Sequence, residues 1–382
     1  MAQSPPRQRV PPTPRPLTKA ERLPLAAFPT RGVWTLPLYG QLTAPPAYDD
    51  TRVFFATEGD RLAAYDLRSG VRQWMITAQP LLHLTAGGGL LFFIEGSALT
   101  ALHAADGSSA WQVPFADTLA VRPVWDNGWL IVATSSGSML AFRAMDGQLI
   151  WRRDLGAQAH AAPALAGDRV YVPLSDGRIV ALHIKTGAPV WERRVGGTPN
   201  DLLALDDRVY VGSQDNFLYC LMSKNGVVDW RWPTGGDVIG VPIVDEHNVY
   251  FVSLDNTLRA LDRKSGVQQW MKPLPLRPSW GPVKAGPTIA VGGQNATVRL
   301  YNAQDGAVLG ALAAGGEVAE SLRAIVDPGN GLPMLLVLTR DIAKGASARL
   351  FTRDVEPALA AVTPLPNLIM MTPGTAAPAV RP

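Results

Sequence analysis

The chain has 382 residues, of which 47% are hydrophobic and 18% are charged, and its formal net charge is +3. A single cysteine excludes an intrachain disulfide, a cysteine-rich zinc site and a haem attachment motif that needs two cysteines. No segment approaches the roughly 18 consecutive apolar residues of a membrane-spanning helix, so we expect no membrane span.

The positive charge is concentrated at the N-terminus. Residues 1–31 carry six Lys or Arg against one Glu, a net +5, so the rest of the chain sums to −2. Nucleic-acid binding requires clustered Lys and Arg, which a nearly neutral body does not provide. We therefore expect no nucleic-acid partner.

Both ends of the chain are rich in proline, which donates no backbone hydrogen bond. Eight prolines fall in residues 1–31 and six in residues 355–382. We predict a disordered Pro/Arg-rich arm over residues 1–30 and a disordered Pro/Ala-rich tail over residues 355–382. The apolar run 23–28 is too short for the core of a signal peptide and contains Pro24, so the sequence as given predicts no export signal and no lipobox.

The central part of the chain contains an internal repeat. The motif Gly-x-x-x-Trp occurs six times, and its glycines are spaced by 37, 40, 40, 39 and 40 residues. The six pairs are Gly70/Trp74, Gly107/Trp111, Gly147/Trp151, Gly187/Trp191, Gly226/Trp230 and Gly266/Trp270. A seventh register begins at Gly306, where Gly310 takes the place of the tryptophan. A fixed period of this length is typical of repeat architectures.

Each repeat unit is predicted to form four short β-strands. The clearest unit has strands at residues 162–166, 169–174, 178–184 and 189–195, which are rich in Val, Ile, Tyr and Leu. A turn pair, Asp176-Gly177, separates its second and third strands. Four antiparallel strands in about 40 residues indicate one blade of a β-propeller.

The number of blades follows from the two ends of the repeat. Three further apparent strands follow the seventh register, and the segment around Val33-Trp34 resembles the missing fourth strand. We therefore predict an all-β fold, an eight-bladed β-propeller of four-stranded antiparallel blades over residues 31–354. The N-terminal strand is predicted to close the last blade.

The repeat resembles a known family. The run from Ala181 to Trp191, with Gly187 between them at the repeat spacing, is similar to the PQQ-type repeat. That repeat occurs in quinoprotein dehydrogenases and in BamB-like proteins of the bacterial outer-membrane assembly machinery, both of which are eight-bladed propellers. The resemblance implies that each repeat tryptophan docks on the glycine turn of the next blade. The predicted structural docking residues are Trp34, Trp74, Trp111, Trp151, Trp191, Trp230 and Trp270.

Departures from the repeat identify candidate binding residues. In propellers the first strand of each blade lines the central channel, and Arg122, His160 and Trp280 are unusual residues just before three such strands. We expect them at the channel mouth as candidate binding residues, with local packing or solvent exposure as the alternative. We identify no catalytic residue and no metal site. The histidines are not spaced as metal ligands are, and Cys220 occupies a repeat position that holds a small residue in most other units.

Three functions are compatible with the repeat. The quinoprotein dehydrogenases add long inserts between blades and an adjacent cysteine pair, whereas these units are compact and the chain has one cysteine. We therefore predict a monomeric, non-enzymatic scaffold without a cofactor, which binds other proteins through a propeller face as an envelope or outer-membrane assembly factor. The alternatives are a PQQ- and calcium-dependent quinoprotein dehydrogenase and a ligand-sensing propeller with a small molecule in its channel. The resemblance implies the cell envelope or periplasm if a leader precedes this sequence.

Overall fold

The computed structural model describes residues 27–327 and 330–354. These residues form β-strands and turns, and they contain no helix long and apolar enough to cross a bilayer. The predicted tail at 355–382 lies outside the described residues, as does the predicted arm at 1–30 except for its last four residues. Strand β1 (Thr30–Pro37) is the first strand of the described residues, and the strands form eight sheets around a ring.

The first four blades each contain four antiparallel strands, the earliest in sequence lying innermost. Blades 1 and 2 consist of β2 (Ala47–Tyr48), β3 (Arg52–Thr57), β4 (Arg61–Asp66) and β5 (Arg72–Thr77), then β6 (Leu81–Gly87), β7 (Leu90–Glu95), β8 (Ala98–His103) and β9 (Ser109–Pro114). Blades 3 and 4 consist of β10 (Val124–Asp126), β11 (Trp129–Ala133), β12 (Ser138–Arg143) and β13 (Leu149–Asp154), then β14 (Ala164–Ala166), β15 (Arg169–Pro173), β16 (Arg178–His183) and β17 (Pro189–Arg194).

Blades 5 to 7 have the same arrangement. Blades 5 and 6 consist of β18 (Pro199–Ala204), β19 (Arg208–Ser213), β20 (Phe217–Met222) and β21 (Val228–Pro233), then β22 (Val238–Val244), β23 (Asn248–Ser253), β24 (Thr257–Asp262) and β25 (Gln268–Pro273). Blade 7 consists of β26 (Val283–Ala285), β27 (Thr288–Val291), β28 (Thr297–Asn302) and β29 (Val308–Ala313).

Blade 8 joins the two ends of the ring. Its strands are β30 (Glu317–Val318), β31 (Arg323–Val326), β32 (Pro333–Asp341) and β33 (Gly345–Arg353). The short strands β30 and β31 divide the innermost position, and β1 forms the outermost strand by pairing antiparallel with β33. The predicted eight-bladed propeller, with its last blade closed by the N-terminal strand, is therefore confirmed.

Local sequence explains why each unit adopts this form. In blade 4, Val170, Tyr171 and Val172 favour a strand, and all three successive side chains are buried, as expected for a sheet packed on both faces. Gly177 and Gly187 have φ angles of +90° and +65°, which glycine adopts without steric cost, and they end the strands in tight turns. Ala181 lies directly opposite Trp191 across β16 and β17, so the small residue leaves room for the indole.

The hydrophobic core is divided into layers between neighbouring blades. One layer contains Tyr171 and Trp191 from blade 4 together with Leu202 and Val211 from blade 5. Similar clusters join the other neighbouring blades, so the stability of the ring depends on contacts between blades. This arrangement leaves the innermost strands around a central channel, where the candidate binding residues lie.

Candidate functional site

Each repeat tryptophan contacts the next blade in the same way. The Trp191 indole N–H donates a hydrogen bond to the backbone oxygen of Ser223 at 2.7 Å. A Cβ atom on Gly226 would lie 2.5 Å from the Trp191 ring, so only glycine permits this approach. The same indole bond, at 2.6–3.4 Å, and the same glycine contact occur at Trp34/Gly70, Trp74/Gly107, Trp111/Gly147, Trp151/Gly187, Trp191/Gly226, Trp230/Gly266 and Trp270/Gly306.

The joint between blades 7 and 8 has a different construction, because Gly310 occupies the tryptophan position. A Cβ atom on Gly310 would lie 2.6 Å from the ring of Phe28, so this ring occupies the space that the tryptophan fills elsewhere. Arg353 donates a hydrogen bond to the Phe28 backbone oxygen at 2.8 Å, and the Ala27 N–H donates to Thr288 Oγ1 at 2.8 Å. Sequence analysis missed this contact, since Phe28 lies in the segment assigned to the arm.

Arg122, His160 and Trp280 all line one cavity at the centre of the ring. The cavity has a volume of about 860 Å³, and residues of seven blades contribute to its wall. The three residues lie two to four residues before innermost strands, so they lie toward the same end of the channel. The structure therefore brings the three sequence-predicted residues to one space; their role in binding remains a prediction.

The cavity wall carries charged side chains that face one another. Arg122 is open to the cavity but is enclosed by protein on most sides; this burial lowers its pKa, and the like charge of Arg323 lowers it further. Burial raises the pKa values of the Asp201 and Glu320 carboxyls. The guanidinium carbon of Arg323 lies 5.3 Å from the centre of the Tyr48 ring, a cation–π distance.

The imidazole of His83 is a further polar group close to Arg122. Burial lowers the pKa of His83, and the positive charge of Arg122 lowers it further, so the neutral imidazole is favoured. The His83 Nδ1 atom is buried and has no hydrogen-bond partner among the residues that the structure describes. A buried polar atom without a partner is uncommon in folded proteins.

One of the residues that sequence analysis missed has a readable signal. Asp201 stands twenty-five residues before its repeat glycine, which is the column that Arg122 occupies two blades earlier. Five other units have a proline directly after this position, which marks the start of the first strand, whereas this unit has Leu202 there and so lacks the mark. Tyr48, Glu320 and Arg323 have no such signal, since they approach Arg122 only when blade 8 closes the ring beside blade 1.

The other reactive side chains have local roles in the ring. Cys220 is fully buried opposite Trp230 on the third strand of blade 5, and burial raises the pKa of its thiol to about 12. The turn residue Asp176 binds Arg178 at 2.6 Å. Among residues 27–327 and 330–354, no group of three His, Cys, Asp or Glu side chains is arranged to hold a metal ion.

Comparison with known proteins identifies the repeat. The sequence matches the family model described as "Outer membrane protein assembly factor BamB" over residues 24–118, 94–205 and 203–328. No curated protein sequence matches the chain.

Many solved structures are similar to this chain, among them three that match it over most of its length. BamB from Moraxella catarrhalis has a TM-score of 0.68 and 22% identity, over 85% of this chain and 99% of that one. The quinohemoprotein alcohol dehydrogenase from Comamonas testosteroni has a TM-score of 0.67 and 13% identity, over 87% of this chain and 79% of that one. The computationally designed Ika8 protein has a TM-score of 0.71 and 12% identity, over 84% and 99%. At these identities the likeness establishes the fold alone.

Proposed function

The chain belongs to the family described as outer membrane protein assembly factor BamB, and on this premise we propose that it is a non-catalytic scaffold for outer-membrane protein assembly. It binds other proteins through one face of its propeller. The family match over residues 24–328, which covers seven of the eight blades in full, is the observation that carries the proposal. The regular blade joints support it, since a rigid ring suits a platform for partners.

One face of the ring offers exposed apolar side chains to a partner. We call it the hairpin face, because the turns between second and third strands lie there together with the connections between blades. Tyr39 is 75% exposed, Leu82 is 58% exposed and Ile342 is fully exposed on this face, and Leu81 is exposed beside Leu82. Contiguous exposed apolar surface is typical of protein-binding sites, and we infer that these four side chains form such a surface. We name these four residues the apolar patch.

Hydrogen bonds connect the segments that carry the apolar patch. Arg61 donates to the Tyr39 backbone oxygen at 2.8 Å, and Gln41 donates from its amide to the Asp341 backbone oxygen at 2.9 Å. These bonds tie the β32–β33 turn, the β1–β2 connection and the β3–β4 turn together. Gln79, two residues before Leu81, donates from its side-chain amide to Asp60 Oδ2 in the β3–β4 turn at 2.8 Å, which ties the blade 2 segment to the same support. The patch therefore extends over blades 8, 1 and 2 on a fixed support, and a partner that binds there orders few additional groups.

The dehydrogenase alternative requires a cofactor that these residues do not fit. The PQQ-type dehydrogenases place an adjacent cysteine pair against the quinone, whereas Cys220 is single and lies on a third strand away from the channel. Two arginines line the wall of the central cavity. Among the described residues, no cluster of acidic side chains is arranged to bind calcium. These features favour the scaffold, and we derive no step that uses a quinone.

Affinity capture from the native cells, followed by mass spectrometry, tests the proposed function. We expect the purified full-length chain to recover a protein of the outer-membrane β-barrel assembly machinery. Recovery of cytoplasmic proteins alone would contradict the proposal. A stoichiometric quinone in the purified protein, together with quinone-dependent alcohol oxidation, would replace it with the dehydrogenase alternative.

A further inference from the structure

We propose that the central channel binds a small anion with two or more carboxylate or phosphate groups, held between Arg122 and Arg323. The proposal goes beyond the proposed scaffold function and does not rest on it. It begins from the position of the two arginines. The central cavity of about 860 Å³ adjoins a second cavity of about 230 Å³, and the residues common to both walls are Tyr48, Arg122 and Arg323. Both arginines therefore line the junction of the two cavities.

Both guanidinium groups have unused hydrogen-bond donors. Among the described residues, neither Arg122 nor Arg323 forms a side-chain hydrogen bond or an ion pair with a carboxylate. By contrast, Arg178 and Arg259 each bind a carboxylate at 2.6 Å. A guanidinium offers five N–H donors in a planar fork that matches the oxygens of a carboxylate or phosphate. The channel thus presents two such forks toward one space.

The charges in the channel favour an anion at this position. Arg122 and Arg323 repel each other across the cavity, and this repulsion contributes to the lowered pKa of Arg122. Asp201 and Glu320 attract Arg122, but neither lies within ion-pair distance of it. An anion between the two arginines would bond to both and remove their repulsion, and a partly enclosed site strengthens that attraction relative to open water.

The rest of the wall suits a small organic molecule. Trp280, Ile239 and Leu322 supply apolar surface for the carbon skeleton. The cavity volume falls in the range of about 300–1,000 Å³ that is usual for small-molecule sites.

Calorimetric titration of the full-length chain at low ionic strength tests the proposal, with citrate and pyrophosphate as probes. We expect one saturable site for at least one probe, and the preferred probe identifies the carboxylate or phosphate class. The variants Arg122→Gln and Arg323→Gln should each weaken binding about tenfold, because each removes charge-assisted hydrogen bonds. The double variant should show no binding.

A matched control removes the same charge elsewhere. Arg31 is exposed on β1, the outermost strand of blade 8, so Arg31→Gln should bind the probe as the unaltered chain does. Thermal unfolding of every variant provides a folding control. Binding of neither probe by the unaltered chain would overturn the proposal. So would an equal loss in Arg31→Gln, which would show a non-specific charge effect.

Discussion

The ring of Phe28 lies over Gly310 at the one blade joint where the repeat tryptophan is missing. Phe28 comes from the chain segment before β1, and Gly310 comes from the outermost strand of blade 7. The aromatic ring at this joint thus comes from the N-terminal end of the described chain, whereas its glycine partner lies near the C-terminal end. This side-chain contact supplements the strand pairing of β1 with β33 where the two ends of the ring meet.

Removal of the Phe28 ring should loosen this joint. We expect Phe28→Ala to lower the free energy of unfolding, by less than about 3 kcal/mol because the ring is only partly buried. Val33→Ala, which shortens a 43% exposed side chain on β1, is the matched control and should have little effect. Chemical denaturation measures both. Equal stability of Phe28→Ala and the unaltered chain would contradict the role of this contact.

The tryptophan joints should carry more of the stability. Trp191 is buried between blades 4 and 5, so Trp191→Ala should cost about 3–5 kcal/mol through loss of burial and formation of a cavity. Trp191→Phe keeps an aromatic ring but removes the hydrogen bond to Ser223, and it should cost less. An unchanged melting temperature in Trp191→Ala would refute the docking role.

The glycine partner of a tryptophan joint can be tested against an unhindered glycine. Gly187 and Gly96 both have positive φ angles, +65° and +57°, so alanine at either position strains the backbone by about 1–2 kcal/mol. A Cβ atom on Gly187 would also lie 2.6 Å from the Trp151 ring, whereas Gly96 faces open space. Gly187→Ala should therefore unfold at clearly lower denaturant concentration than Gly96→Ala. Equal midpoints would show that the indole contact is unimportant.

The thiol of Cys220 should be inert in the folded protein. Burial raises its pKa to about 12, so the reactive thiolate is scarce at pH 8 and reagents also lack access. We expect no alkylation by iodoacetamide at pH 8 in buffer and complete alkylation in denaturant, measured by mass spectrometry. Rapid labelling of the native chain would contradict the buried position of this residue.

The repeat made most of the fold predictable, because spacing, turns and small residues recur in every unit. The pairing of Ala181 with Trp191, for example, follows because the small-residue position of the repeat lies on the strand next to its tryptophan position. The site was only partly predictable, since Arg122 is a visible departure from its column, whereas its neighbour Arg323 belongs to a blade without a clear repeat register. The approach of these two residues depends on closure of the ring, and the joint between blades 7 and 8 includes Phe28, which has no repeat signal.

The most direct test of the proposed scaffold compares two exposed apolar residues on opposite faces. Ile342 belongs to the apolar patch on the hairpin face, and Met145, 74% exposed, lies in a turn on the other face. The measurement is the amount of outer-membrane assembly protein recovered from native cells by Ile342→Glu, Met145→Glu and the unaltered chain. We predict a loss of about tenfold for Ile342→Glu, equivalent to about 1.4 kcal/mol, and unchanged recovery for Met145→Glu. Equal recovery by Ile342→Glu and the unaltered chain would contradict the account.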